Sequence, residues 1–181
     1  MKPDYIIVGL GNPGAQYERT RHNVGFRALQ LLADEFASDN EWKESQKFLG
    51  AIVEAKIGTD SVMLIRPNTY MNLSANSVHK IIDYYKLDPA TKLIVICDDI
   101  DLPLGEVRYR KSGGPGTHNG LRSIHEVFGD GFKRIKIGIG TPTHGEDLAA
   151  WVLSIPSLED EKVLSASENQ IIDLVKENLS L

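Results

Sequence analysis

The spacing of hydrophobic positions changes period repeatedly along this chain. Tyr5-Ile6-Ile7-Val8 is a short β-branched run closed by glycine, which predicts a buried strand. Leu29, Leu32, Ala33 and Phe36 then recur at helical spacing, predicting a helix over about Val24 to Phe36. Phe48 to Ile57 and Ser61 to Arg66 read as two strands around a hairpin turn at Gly58-Thr59-Asp60, with Pro67 stopping the second. Val78, Ile81, Ile82 and Tyr85 mark another amphipathic helix, terminated by Leu87-Asp88-Pro89. Leu93 to Cys97 is an unbroken apolar run ending in Asp98-Asp99, as expected of a central strand that delivers carboxylates to its carboxyl end. Glu106 to Arg110 alternates like a strand, and Gly113-Gly114-Pro115-Gly116 is a loop. His118 to Phe128 is helical, Phe132 to Ile139 a strand, and Glu159 to Leu179 one final helical pattern. Strands and helices interleave without a repeat or linker. The expectation is a single α/β domain over residues 1–181, with a mixed sheet between helices.

Composition narrows the class. With 41% hydrophobic and 25% charged residues, the chain has an ordinary globular make-up, which excludes collagen-like, low-complexity and disordered proteins. The single cysteine, Cys97, rules out an internal disulfide and a multi-cysteine zinc site, so a reducing, cytoplasmic home is expected. The apolar run near the start falls far short of the roughly 20 residues of a membrane span, so no membrane partner is expected. A net charge of −5 argues against indiscriminate coating of nucleic acid. The charge is nonetheless segregated. Glu106 to Lys136 holds seven basic residues against three acids, whereas Glu146 to Leu181 holds eight acids against two lysines. One face thus suits phosphates while the acidic tail stays solvated.

Several motifs compete for the chemistry. Gly9, Gly11 and Gly14 satisfy the dinucleotide fingerprint after a strand, with Asp34 or Glu35 at the ribose-ligand distance. That reading needs a helix to begin inside the glycines, whereas Pro13 to Tyr17 reads as a turn that presents Asn12. Thr20 or Asn23 can cap the following helix, which leaves His22 either incidental or functional. Asn12, Asn72, Asp98 and His118-Asn119 all stand at the ends of elements, and in an open α/β sheet such ends share a crevice. Asp98, Asp99 and Asp101 suggest metal or glycosidic chemistry, but no phosphate-loop lysine and no second acidic partner stands out. None of the five histidines has zinc-ligand spacing, and no nucleophile elbow is present. Cys97, inside an apolar strand, reads as a buried small hydrophobe. A His–Asp unit acting on water remains.

Six segments together carry a resemblance. Gly9 to Gly14 (GLGNPG), Thr20 to Gly25 (TRHNVG), Asn68 to Ser74 (NTYMNLS), Asp98 to Gly105 (DDIDLPLG), Gly113 to Ile124 (GGPGTHNGLRSI) and Arg134 to Gly140 (RIKIGIG) resemble, in order and spacing, the bacterial-type peptidyl-tRNA hydrolases. The resemblance implies a twisted mixed sheet flanked by helices, and a monomeric enzyme without metal or other cofactor. The implied reaction is hydrolysis of the ester joining a peptide to the terminal ribose of tRNA, which recycles tRNA from stalled translation. By motif, His22 matches the general base, Asp98 the carboxylate that orients it, and Asn12 the residue that tells blocked from unblocked aminoacyl-tRNA. Tyr17, Tyr70, Met71, Asn72, His118 and Asn119 match substrate-contacting positions, and Arg110 and Lys136 match a grip on a tRNA phosphate. Cys97 stands where some relatives have histidine, and Tyr70 where others have phenylalanine. Chloroplast intron-splicing relatives resemble the same family yet serve as RNA-binding modules, so catalysis has to be argued from the site.

Overall fold

A computed structural model describes residues 2–179 of the chain; Met1, Ser180 and Leu181, the ends of the expected domain, lie outside the described residues. The elements in chain order are β1 (Tyr5–Gly9), α1 (Val24–Phe36), β2 (Lys43–Ser45), β3 (Gly50–Ile57), β4 (Asp60–Pro67), α2 (Ser74–Tyr85), α3 (Pro89–Lys92), β5 (Leu93–Asp99), β6 (Val107–Arg110), α4 (Asn119–Phe128), β7 (Lys133–Gly138), α5 (Leu148–Val152), α6 (Leu158–Ala166) and α7 (Glu168–Leu179). Single 3₁₀ turns, Arg21–Asn23 and Met71–Leu73, lead into α1 and α2.

The seven strands form one mixed sheet in the order β2-β3-β4-β1-β5-β7-β6. β1 runs parallel to both β4 and β5, and β5 runs parallel to β7, while β2, β3 and β6 complete antiparallel pairs. The carboxyl ends of β1, β4, β5 and β7 therefore open on one edge, where ligands of open α/β sheets bind. Alternation sorts the strand side chains between two cores. Tyr5 and Ile7 of β1 pack with α1 and α7, while Ile6 and Val8 pack with α2 and α4. Both faces being covered explains why β1 and β5 read as continuous apolar runs.

Two glycines let that edge close up. A Cβ on Gly9 would lie 2.3 Å from the Gly25 carbonyl oxygen, and one on Gly25 would lie 2.6 Å from that of Ile96. The start of α1 thus rests directly on the ends of β1 and β5. This contact displaces the dinucleotide reading, because Gly25 and the Phe26 ring occupy the space a pyrophosphate would need and the helix starts only at Val24.

Three local expectations give way. The final helical pattern is two helices, broken at Ser167 after α6. Thr20 and Asn23 stand at N-cap positions, but neither side chain makes a capping bond; the Thr20 hydroxyl donates to the Tyr17 carbonyl, and the Asn23 side chain is used on Asn12. The acidic tail is not merely solvated, since Asp160 pairs with Arg21 and Glu161 with Arg27.

Candidate active site

Asp98, the last residue but one of the central strand β5, is 2% exposed, and two histidines converge on it. His22 Nδ1 lies 2.8 Å from Oδ1 and 2.9 Å from Oδ2 of Asp98, while His118 Nε2 lies 2.8 Å from Oδ1. The protons can be placed by their partners. His118 is the N-cap of α4, and its Nδ1 accepts from the backbone N–H groups of Gly120 and Leu121. That nitrogen needs its lone pair, so the His118 proton sits on Nε2 and is donated to Asp98. His22, which lines the neighbouring cavity, donates its Nδ1 proton to the same carboxylate and so keeps Nε2 as an acceptor. Burial opposes ionisation of Asp98, but the adjacent histidines outweigh it and hold the carboxyl well below the usual carboxylate range.

The three polar groups lie within 4.8 Å of one another, yet they suit a proton better than a cation. A metal on His118 Nε2 would require that nitrogen to lose its proton while Nδ1 still accepts two backbone N–H bonds, which amounts to an imidazolate. Cys97 is wholly buried next door, and burial pushes its thiol up, so it serves as core and not as a nucleophile.

Beside the trio lies a cavity of about 200 Å³, lined by the polar residues His22, Asp98, His118 and Asn119 and by the apolar Ile100, Leu148, Ala149 and Val152. Lys136 also lines it, 3.1 Å from Asp99. Asn119 is exposed at the first position of α4. A second group adjoins the first through Asn23, the residue after His22. Its side chain accepts from the Asn12 backbone N–H and donates to the Asn12 carbonyl. The side-chain oxygen of Asn12 accepts from the Met71 backbone N–H at 2.9 Å, leaving its NH₂ as the free part of the amide. Met71 abuts the start of α4, since a Cβ on Gly120 would meet its sulfur at 2.6 Å. Asn72 and Tyr70 are exposed on either side of Met71, and Tyr17 is half-buried in the turn after Asn12.

The expected phosphate residues share a face of the sheet. Register pairs Arg108 with Lys136 and Arg110 with Arg134, so all four project from the α4 side of β6 and β7. Arg110 is exposed, whereas Arg134 and Lys133 are buried, so the basic surface is smaller than the sequence count suggests.

Sequence reasoning did not foresee that His118 belongs to Asp98, that Asn23 braces Asn12, or that Asp99 pairs with Lys136. With both ring nitrogens committed, His118 offers a substrate only its ring face and edge.

Comparison with known proteins gives one consistent result. The family model described as Peptidyl-tRNA hydrolase matches residues 6–180. A peptidyl-tRNA hydrolase of Rickettsia bellii is 41% identical over 176 residues, covering 97% of this chain and 91% of that protein. One from Chloroflexus aggregans is 44% identical over 173 residues, covering 95% and 90%. The crystal structure of peptidyl-tRNA hydrolase from Acinetobacter baumannii superposes with a TM-score of 0.90 at 34% identity, covering 99% of this chain and 91% of that one.

Proposed function

The chain belongs to the peptidyl-tRNA hydrolase family, and from that premise we propose that His22 takes the proton of the water that opens the substrate ester, with Asp98 holding the imidazole. The reaction is hydrolysis of peptidyl-tRNA, which releases the peptide and frees the tRNA. The observation that carries the residue assignment is the contact of His22 Nδ1 with a buried carboxylate in a side chain that lines the cavity; the carboxylate takes the Nδ1 proton as donor and leaves Nε2 as an acceptor. Before attack the trio carries one negative charge, on Asp98. As water loses its proton to Nε2, that charge becomes half of a contact ion pair with His22, an interaction made only as the reaction proceeds. His118, neutral and tied to α4, fixes the other side of the carboxylate so that it does not swing away.

The developing oxyanion needs donors. The Gly120 and Leu121 N–H groups near the start of α4 are spent on His118, and Asn119, which lines the cavity, takes that role with its amide, with Asn72 nearby on the Met71 turn. Tyr17, Tyr70 and Met71 supply contact surface around the acyl chain. Incubating the purified protein with an N-acylated aminoacyl-tRNA and with its free-amine counterpart tests this reading. Release from the first and not the second is the expected result, and release from neither would end it.

Asn12 accounts for that selectivity. Its NH₂ can donate to an acyl carbonyl but repels an ammonium, which is a donor as well. Asn12→Asp puts an acceptor there while keeping a partner for the Met71 N–H. The ratio of kcat/KM between blocked and free substrates is expected to narrow by roughly tenfold, about 1.4 kcal/mol. An unchanged ratio would place discrimination elsewhere.

Arg110 and Lys136 grip a tRNA phosphate, which gives affinity without sequence reading and fits a substrate set of many tRNAs. Asp99 already neutralises part of the Lys136 charge. Arg110→Ala is therefore expected to flatten the slope of log K against log salt by about 0.7 to 0.9, Lys136→Ala by less, and Asp99→Asn to strengthen binding. Equal slopes across the series would move the grip off this edge. No described helix is long and apolar enough to cross a membrane. The enzyme works as a cytoplasmic monomer, one domain over residues 1–181, and uses no cofactor.

A further inference from the structure

Arg21, the residue before the catalytic base, is 4% exposed and reaches away from the cavity into the C-terminal segment. Its backbone N–H donates to the Ser154 carbonyl at 2.9 Å and its Nε to the Ser154 hydroxyl at 3.0 Å. One terminal nitrogen meets Asp160 of α6 at 2.6 Å, and the guanidinium lies 3.8 Å from the centroid of the Trp151 ring. Trp151 is anchored in turn, its indole N–H donating to the Gly140 carbonyl at 2.8 Å. A buried guanidinium stacked on an indole, bonded to a hydroxyl and paired with a carboxylate is held far more firmly than a surface arginine. The segment it grips carries Leu148, Ala149 and Val152, which form part of the wall of the cavity that His22 and His118 also line.

We propose that Arg21 is a positioning residue, through which the α5–α6 segment sets the orientation of His22. The 3₁₀ turn Arg21–Asn23 holds three side chains in succession: Arg21 to the cavity wall, His22 to Asp98, and Asn23 to Asn12. A turn this short transmits a shift of one residue to the next, so seating of the wall and aim of the base are one event. The substrate that presses on the wall then also steadies the group that activates water. This inference rests on His22 being the base.

The test uses substitutions on the wall segment that leave the catalytic groups untouched. Ser154→Ala with Asp160→Ala removes the Arg21 side-chain hydrogen bonds at atoms remote from the imidazole, and Arg21→Lys removes the fork itself. The readouts are kcat and KM on N-acylated aminoacyl-tRNA, the NMR signal of the His22 Nδ1 proton, and the thermal midpoint. The Ser154/Asp160 variant is expected to lose roughly tenfold in kcat, the scale of a sub-ångström misplacement, with KM little changed. Its His22 proton signal should shift, and Arg21→Lys added to it should cost little more. A lowered thermal midpoint with the His22 signal and kcat of wild type would overturn the proposal, since a merely structural clasp gives that pattern. Absence of wild-type turnover would instead remove the functional reading, and the NMR arm would still decide whether the wall orients His22.

Discussion

His22→Ala is expected to lower kcat for N-acylated aminoacyl-tRNA by about 10²–10⁴-fold, the range that a general base contributes. The loss should be that large because no neighbour is free to take over. His118 has both nitrogens committed, one to Asp98 and one to the α4 backbone. Asp98 is ringed by the two imidazoles and held in its charged form, and Asp99 is paired with Lys136. Binding of tRNA should survive, because the proposed phosphate grip lies on β6 and β7 and not on the turn before α1. A binding assay beside the turnover assay separates the two effects. Turnover near that of wild type would remove His22 from the mechanism, and loss of binding in step with turnover would assign it to recognition.

That expectation was legible in the sequence only in part. The boundaries of α1 and the identity of β1, β3, β4 and β5 follow from hydrophobic period, because strongly apolar elements buried on one or both faces leave a clear pattern. β2, α3 and α5 do not, since each has five residues or fewer and none has a fully buried side chain. The glycines of the first loop satisfy a dinucleotide motif as text. Their use is different: Gly9 and Gly25 let a helix touch strand ends, a requirement that arises only once α1 is folded back on the sheet. Asp98 was visible as a carboxylate at the end of a central strand, and His22 as a histidine at a loop-to-helix junction. Nothing local joined them, since 76 residues separate the pair. Their link is topological, arising because β5 lies beside β1 and α1 returns across both. The salt bridges from Arg21 and Arg27 to α6 are further still from sequence reasoning, because an acidic tail reads the same whether its charges are solvated or paired.

Asp98→Asn should be nearly as damaging as loss of the base, through the tautomer and not through charge alone. An amide offers one oxygen acceptor and one NH₂ donor, whereas His22 and His118 both arrive as donors. Both imidazoles reach Oδ1, and His22 alone also reaches Oδ2, so with the amide oxygen kept at Oδ1 the NH₂ falls beside His22 Nδ1, donor against donor. His118 cannot change tautomer to relieve this, because its Nδ1 is required by the Gly120 and Leu121 N–H groups. His22 therefore yields, moves its proton to Nε2, and presents a donor to the water it should deprotonate. The same carboxylate-to-amide exchange costs about 10⁴-fold in a serine protease triad, and a loss of that order in kcat with little change in tRNA affinity is expected here. Stability gives an independent reading. The folded-state pKa of Asp98 lies below its ordinary 3.8, so the stabilisation it contributes is complete above that value and is lost as pH falls toward the folded-state pKa. The difference in unfolding free energy between wild type and Asp98→Asn should move against wild type as the pH drops below about 3.8. A variant with ordinary turnover, or a difference that stays level into acid, would mean that the carboxylate does not hold the two imidazoles as described.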